Sequence, residues 1–200
     1  MGPDRLTAFS DGVIAVIITI MVLEMKPPEG ADLSALGKVL PTFLSYVLSF
    51  VYVAIYWNNH HHLLSVCKRV SGLVLWANTH LLFWLSLIPF TTAWLESNQF
   101  APLPTALYGV SLLMPAIAYW LLERALLRAH GPDSRLAAAL GSDIKAKISP
   151  LLYFIAVVLA FPIPLVSIGI YVAVALLWLI PDRRMERALA LDRSSPSPEP

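Results

Sequence analysis

Long apolar runs separated by short polar stretches dominate the pattern along this 200-residue chain. Runs of this length that are apolar on every helix face are typical of membrane spans rather than of surface helices. The residues after the first run, 24–27, offer no small-residue cleavage site, so we expect this run to be retained as a helix rather than removed as a signal peptide. The pattern predicts an all-α integral membrane protein with six transmembrane helices, at residues 6–25, 33–64, 70–95, 104–122, 148–161 and 165–180.

The basic residues are distributed unevenly among the connections between these segments. Of the 14 Lys and Arg residues, only Lys26 and Lys38 follow the first segment or open the second. The other basic residues lie at the N-terminus or after the second, fourth and sixth segments, so the positive-inside rule predicts a multi-pass protein of the cell membrane with both termini in the cytoplasm. We expect a single six-helix transmembrane domain over residues 1–185. Residues 186–200, rich in Ser and Pro, are expected to form a disordered cytoplasmic tail.

Composition excludes several other classes of protein. Hydrophobic residues make up 58% of the chain and charged residues 14%, whereas soluble domains carry about 25% charged residues. A net charge of +1 without a basic patch argues against a nucleic-acid partner. The single cysteine, Cys67, excludes an intrachain disulfide. Because the motifs of nucleotide-binding and hydrolytic enzymes are missing from the sequence, we expect no enzymatic activity and no cofactor.

Polar side chains inside membrane segments indicate either interhelical hydrogen bonding or function, because burying them in lipid is costly. Asp11 lies about one turn inside the first segment, at the same predicted depth as the His60–His62 cluster that ends the second. Asn78 lies about two turns into the third segment. The sequence is compatible with two roles for these residues, interhelical hydrogen bonding and the handling of protons or ions. Since adjacent helical residues point about 100° apart, three consecutive histidines do not converge on one ion, and we expect no metal site.

The first segment also carries a continuous stripe at helical spacing. The stripe consists of Val16, Thr19, Ile20 and Leu23, at positions i, i+3, i+4 and i+7. From the pattern alone we interpret it as packing surface, because an apolar helix ordinarily packs and a lone Thr hydroxyl can bond to its own backbone.

A short motif at the start of the first helix resembles the signature of the transmembrane-protein-175 (TMEM175) family of potassium channels. The motif is RxxxFSD, formed by Arg5, Phe9, Ser10 and Asp11, and an apolar run to Leu23 follows it. The histidines after Trp57, and Asn78 followed by Pro89 and Phe90, are similar to the second and third helices of that family. The resemblance covers about the first 95 residues and extends to the remainder by helix count.

The resemblance implies a potassium channel that is a homotetramer in the lipid bilayer, with helix 1 of each copy lining a central pore. It implies a hydrophobic gate formed by Val16, Ile20 and Leu23, and a ring of Thr19 hydroxyls that gives modest selectivity for the permeant potassium ion. Val16 is smaller than the residue usual in the family, so the resemblance does not decide which of these rings is the narrowest. Proton permeation is a further expectation, because the family includes members that pass protons.

The resemblance also implies a structural role for the signature residues. They would join helix 1 to helices 2 and 3 rather than coordinate the ion. The expected partners are His61 and Asn78 first, with His60 and Trp57 as further members. The full set of the expected network is Arg5, Phe9, Ser10, Asp11, Trp57, His60, His61 and Asn78.

Two alternatives belong to other functional classes. A non-conducting membrane scaffold would use the same buried polar residues only to hold helices together, and would give no ion flux. A proton-coupled transporter would give slow, saturable flux and is usually built from an inverted repeat with broken helices.

Overall fold

The computed structural model describes residues 2–65, 67–131 and 144–179, and within these ranges it contains helices and no strands. The predicted tail at 186–200 lies outside the described residues. The helices are α1 (Pro3–Leu23), α2 (Leu33–Lys38), α3 (Leu40–Ser65), α4 (Gly72–Ser86), α5 (Ile88–Ser97), α6 (Pro102–His130), α7 (Ile144–Leu159) and α8 (Pro164–Leu179).

Within the described ranges, four stretches are long and apolar enough to cross a bilayer, which confirms the prediction of an all-α membrane protein. They are Pro3–Leu23, Leu40–Ser65, Gly72–Ser97 and Pro102–His130. Helices α7 and α8 have 16 residues each, somewhat fewer than the roughly 20 that span about 30 Å of hydrocarbon. The fifth and sixth predicted segments are thus helical at the expected places, while their crossing of the membrane stays a prediction.

The second predicted segment is interrupted near its start. Pro41 has no backbone N–H to donate to Gly37, and the chain turns at Val39 between α2 and α3. The Asp32 side chain caps α2, accepting a hydrogen bond of 2.9 Å from the Ala35 backbone N–H. This bond and the Ser34 hydroxyl lower the pKa of the exposed Asp32 carboxyl. The apolar run at 33–64 is therefore a short capped helix of six residues followed by one span.

Prolines act differently in the next two segments. The third breaks at Leu87 because Pro89 cannot donate to the Leu85 carbonyl, and this gives α4 and α5. Pro115 stays inside α6 without ending it. Helix α6 also continues to His130, well beyond the predicted end of its apolar run at Leu122. Hydropathy underestimates its length, because a polar end can extend a helix out of the apolar layer.

Helix α6 lies at the centre of the bundle and packs against α4, α5, α7 and α8, whereas α1 packs at one side against α3, α4 and α5. One apolar cluster joins α1, α3, α4 and α6, and a second joins α3, α6, α7 and α8. Buried hydroxyls connect α3, α5 and α6 beside the second cluster. Ser49 Oγ lies 2.8 Å from Thr92 Oγ1 and 2.9 Å from Tyr108 Oη. Such bonds satisfy polar groups that have no water to bind inside a bilayer.

Tyr171 connects α8 to α6 at a point where only glycine fits. Its hydroxyl donates to the Thr105 carbonyl at 3.2 Å, and its ring packs edge-on against Tyr108. A Cβ on Gly109 would overlap the Tyr171 hydroxyl and would lie 2.7 Å from Val157 Cγ2. The close approach of α6, α7 and α8 therefore depends on Gly109.

We predict that Gly109→Ala lowers the free energy of unfolding by about 1–3 kcal/mol, because Tyr171 must leave its site to make room. Thermal and denaturant unfolding of the purified protein in detergent measures the change. Gly169→Ala is the matched control, since a Cβ there meets nothing within 4 Å. Equal stability of the two variants would contradict this account of the packing.

Candidate functional site

Helix α1 has one face inside the bundle and one face outside it. The inner face includes Ile14 and Ile17, which are 1% and 3% exposed. The outer face carries Val16, Ile20 and Leu23, which are 55%, 41% and 81% exposed. The four stripe residues are therefore largely exposed in the single chain, and their interpretation as packing surface within one chain is wrong.

Thr19 lies on this outer face with its hydroxyl in a defined orientation. Its Oγ1 donates a hydrogen bond to the Val16 carbonyl at 2.9 Å. A hydroxyl that has used its hydrogen in this way can act towards the exterior only through its oxygen lone pairs. The exposed side of α1 thus presents one potential cation ligand among apolar side chains.

A groove of about 670 Å³ runs between α1 and the start of α5. Phe9, Val16 and Ile20 form its α1 wall, and Pro89 and Phe90 form much of the other. The sequence gives no signal for this pairing of walls, because a single exposed Phe is ordinary on a membrane helix. Two of the four stripe residues, Val16 and Ile20, therefore face α5 across an open groove rather than packing against it.

The carboxylate of the signature motif binds the second long helix. Trp57 Nε1–H donates to Asp11 Oδ1 at 3.0 Å. The His61 ring stacks on Trp57, with ring centroids 6.0 Å apart and planes 29° from parallel. This places Trp57 as the direct partner of Asp11 and His61 behind it.

A buried hydrogen-bond chain joins three helices at one level. His60 Nε2 lies 2.6 Å from Asn78 Oδ1, and Asn78 Nδ2 donates to Ser10 Oγ at 2.9 Å. Ser10 in turn donates to the Leu6 carbonyl at 2.8 Å. All three side chains are fully buried. The Asn78 amide oxygen carries no hydrogen, so it accepts from His60 Nε2–H while the amide nitrogen donates to Ser10. The chain of bonds therefore has one direction, from α3 through α4 to α1.

His60, rather than His61, therefore occupies the position expected of the primary histidine partner. The inward face of α3 includes Val53, Tyr56 and His60, which follow helical spacing, while His61 points about 100° away and is exposed. Helical periodicity in the sequence could have distinguished the two histidines. His60 has its hydrogen on Nε2, and its Nδ1 is a buried side-chain atom without a hydrogen-bond partner among the described residues.

Arg5 and Phe9 stand apart from these bonds within the single chain. Arg5 is exposed at the start of α1, and its side chain makes no hydrogen bond or ion pair with another described residue. Phe9 is 55% exposed and lines the groove. Their membership of the network stays a prediction. No group of three or more His, Cys, Asp or Glu side chains in the described part of the chain is arranged to hold a metal ion.

We predict that Asn78→Leu lowers the free energy of unfolding by about 1–3 kcal/mol, because it leaves the His60 N–H and the Ser10 oxygen buried without their partner. The measurement is denaturant unfolding in detergent. Thr79→Val is the control on the same helix, since its exposed hydroxyl bonds only to its own backbone at Leu75. An Asn78→Leu protein as stable as this control would remove the network from the account.

Comparison with known proteins places this arrangement in a family. Residues 5–89 match the family model described as the endosomal/lysosomal potassium channel TMEM175. A protein from Chryseobacterium sp. (strain P1-3), named a potassium channel, is 52% identical over 189 residues, covering 94% of this chain and 98% of that one.

A solved structure and an animal relative give further matches. The crystal structure of a lysosomal potassium-selective channel TMEM175 homolog from Chamaesiphon minutus superimposes with a TM-score of 0.76 at 28% identity. The match covers 89% of this chain and 96% of that one. A Bos taurus protein named endosomal/lysosomal proton channel TMEM175 is 29% identical over 116 residues, 52% of this chain and 24% of that protein.

Proposed function

Because the chain belongs to the TMEM175 family of potassium channels, we propose that several copies of it surround a potassium pathway lined by the outer face of α1. The chain is an ion channel and not an enzyme, as its sequence predicts. The observation that carries the proposed pathway is the exposed stripe of Val16, Thr19, Ile20 and Leu23 on a helix whose opposite face is buried.

The pathway requires more than one copy of the chain. The centre of the bundle is filled by α6 and the two apolar clusters, so an ion has no evident route through one described bundle. Copies arranged around an axis would bring their exposed stripes together. We propose a homotetramer with helix 1 at this axis, on the basis of the family resemblance. Six spans and cytoplasmic termini, in the cell membrane, are part of the same proposal and are supported by the distribution of basic residues.

In this arrangement Thr19 is the selectivity residue. Four hydroxyls whose hydrogens are held by backbone carbonyls would present oxygen lone pairs to the axis and replace part of the hydration shell of a potassium ion. A single layer of hydroxyls discriminates less than stacked rings of carbonyls, so the preference for potassium over sodium is modest.

The apolar neighbours of Thr19 form the gate. Rings of Val16, Ile20 and Leu23 exclude water when they are narrow, and a dewetted apolar neck blocks ions. Opening then requires the α1 helices to move apart or to rotate. Because the outer side of α1 borders a groove rather than close-packed side chains, the helix has room for such a movement.

Proton permeation is the remaining part of the proposal. The titratable groups near the start of α1 are Asp11, held by Trp57, and the histidines of α3. Imidazole is the group whose charge changes most readily between pH 5 and 8. The name of the Bos taurus relative supports a proton pathway in this family.

We predict that Thr19→Val reduces the preference for potassium over sodium, because it replaces the proposed oxygen ligand with a methyl group of similar size. Reversal potentials, or flux from potassium-loaded liposomes with sodium substituted, measure the change. Thr79→Val is the matched control, since Thr79 is also exposed and also bonds to its own backbone. Unchanged reversal potentials in Thr19→Val would reject Thr19 as the selectivity residue, and no flux from folded wild-type protein would favour the scaffold alternative.

A further inference from the structure

A deep apolar groove runs between α3 and α8. Its volume is about 650 Å³. The α3 wall extends from Leu40 to Val51, and the α8 wall extends from Ile168 to Leu179. Tyr108 of α6, which is 1% exposed, also lines it. The groove therefore reaches from the surface of the bundle to its central helix.

The groove contains no polar side chain that needs a partner. Ser45 and Tyr108 are the polar residues of its described lining. Ser45 Oγ donates to the Pro41 carbonyl at 3.0 Å, and Tyr108 Oη lies 2.9 Å from Ser49 Oγ. Because both hydroxyls are bonded within the chain, a hydrocarbon chain can fill the groove without burying an unpaired polar group. The chemistry of the groove therefore fits an acyl chain.

The dimensions of the groove also fit acyl chains. The rise from Leu40 to Val51 is about 16 Å along the helix axis, and the hydrocarbon of one leaflet is about 15 Å deep, half of a bilayer core. Dividing the volume by this length gives a mean width of about 7 Å, whereas a helix with its side chains is about 10–12 Å wide. The groove is thus as deep as one leaflet and narrower than a helix.

A basic residue lies at the end of the groove where α3 begins. Lys38 ends α2, two residues before Leu40, and its side chain is exposed. The Lys38 ammonium makes no hydrogen bond or ion pair with another described residue. Two carboxylates on the elements around this end of α3 are bonded within the chain, since Asp32 caps α2 and Glu96 accepts from the Thr42 hydroxyl. Lys38 is therefore available to a phosphate group at the membrane surface.

Helix α2 has the properties of a segment at the boundary between hydrocarbon and headgroups. Leu33 and Leu36 lie three residues apart on one face and are 86% and 59% exposed. Exposed apolar side chains beside a lysine are typical of this boundary, because lysine extends its apolar stem along the hydrocarbon and its ammonium into the headgroups. This places Lys38 at the level of the headgroups and Leu40 at the start of the hydrocarbon layer.

The groove lies on the side of α3 that faces away from α1. Thr42 and Tyr46 border the same small cavity as Met21 of α1, whereas Leu44 and Leu48 line the groove. Residues two apart on a helix point about 200° apart, so these two pairs lie on nearly opposite faces. Copies of the chain with α1 at a central axis would therefore leave the groove on the outside of the assembly, facing lipid.

We propose that the groove between α3 and α8 is a phospholipid-binding site, in which an acyl chain fills the groove and Lys38 binds the phosphate. Every phospholipid headgroup carries this phosphate, so the site does not require one particular headgroup. The inference rests on the proposed positions of α8 in the bilayer and of α1 at the axis, but not on ion conduction.

Photo-crosslinking of the full-length protein in vesicles tests this site. The vesicles consist of phosphatidylcholine with a small fraction of phosphatidylcholine that carries a diazirine in one acyl chain. Mass spectrometry then counts the adducts on the two walls of the groove. The reference surface is the exposed apolar face of α7, formed by Leu151, Phe154 and Val158, which contacts bulk lipid if the α7–α8 hairpin lies in the bilayer.

We expect at least about threefold more adducts per residue in the groove than on α7, because a chain held on several sides makes more contacts than one in bulk lipid. Lys38→Gln should lower the groove adducts about twofold to fivefold, the effect of losing one exposed ion pair, and Lys26→Gln is its control at the other exposed lysine on this side. Val172→Trp should fill the groove and lower its adducts to the α7 level. Val158→Trp, at an exposed valine of α7, should leave the groove adducts unchanged.

Three results would overturn the proposal. Equal labelling of the groove and the α7 face would show that no lipid is held there. Labelling of the groove below that of the α7 face would show that a second copy of the chain covers it. The absence of adducts on both surfaces would place the hairpin outside the bilayer. Equal effects of Lys38→Gln and Lys26→Gln would reject Lys38 as the phosphate ligand. The assay requires no ion flux, so its failure is distinguishable from a failure of the proposed potassium pathway.

Discussion

The position of α1 depends on a short chain of buried hydrogen bonds. Inside a bilayer a polar group without a partner is costly, so the His60, Asn78 and Ser10 side chains specify one alignment of three helices where apolar packing alone would permit several. The chain has a direction, from imidazole to amide to hydroxyl to the Leu6 carbonyl. A second bond, from Trp57 to Asp11, fixes α1 to α3 nearby. Together they orient α1, because Ser10 faces inward and Asp11 is only partly buried beside it.

This orientation determines what the rest of α1 presents. With Ser10, Ile14 and Ile17 facing the bundle, helical geometry directs Val16, Thr19 and Ile20 away from it. The residues that hold the helix and the residues proposed to contact the ion are therefore different sets on one segment. A bundle with α6 at its centre then serves as a rigid support, and the α3–α4 connection, held by His130, fixes the ends of the two helices that bond to α1.

Much of the fold could be predicted from the sequence, because long apolar runs require helices and charges mark their ends. The breaks at Val39 and Leu87 correspond to Pro41 and Pro89 two residues later. The extension of α6 to His130 could not be read from hydropathy, since that signal ends with the apolar layer while the helix does not. The groove beside α1 could not be predicted from the sequence either, because it depends on how α1 and α5 are placed relative to each other in space.

In the candidate site, too, some features could be predicted from the sequence and others could not. Asp11 and the histidines could be placed at one depth from topology, whereas the choice of His60 over His61 depends on which face of α3 turns inward. The stripe on α1 was visible in the sequence, but a pattern of apolar residues is the same whether it packs inside a chain or faces its exterior. Only the position of Ile14 and Ile17 in the core shows which side of α1 remains open.

The most direct measurement of the central claim is accessibility of α1 in a conducting channel. In a Cys67→Ser background the chain has no other thiol, so single cysteines can be placed at Val16, Thr19, Ile20 and Leu23 and treated with a charged thiol reagent during potassium flux. The account predicts that modification at these four positions changes the flux, because the added group would lie in the pathway. It predicts little effect at Val22, which is exposed on another side of the same helix. Equal effects at Val22 and on the stripe, or no effect at any stripe position, would contradict a pore lined by this face of α1.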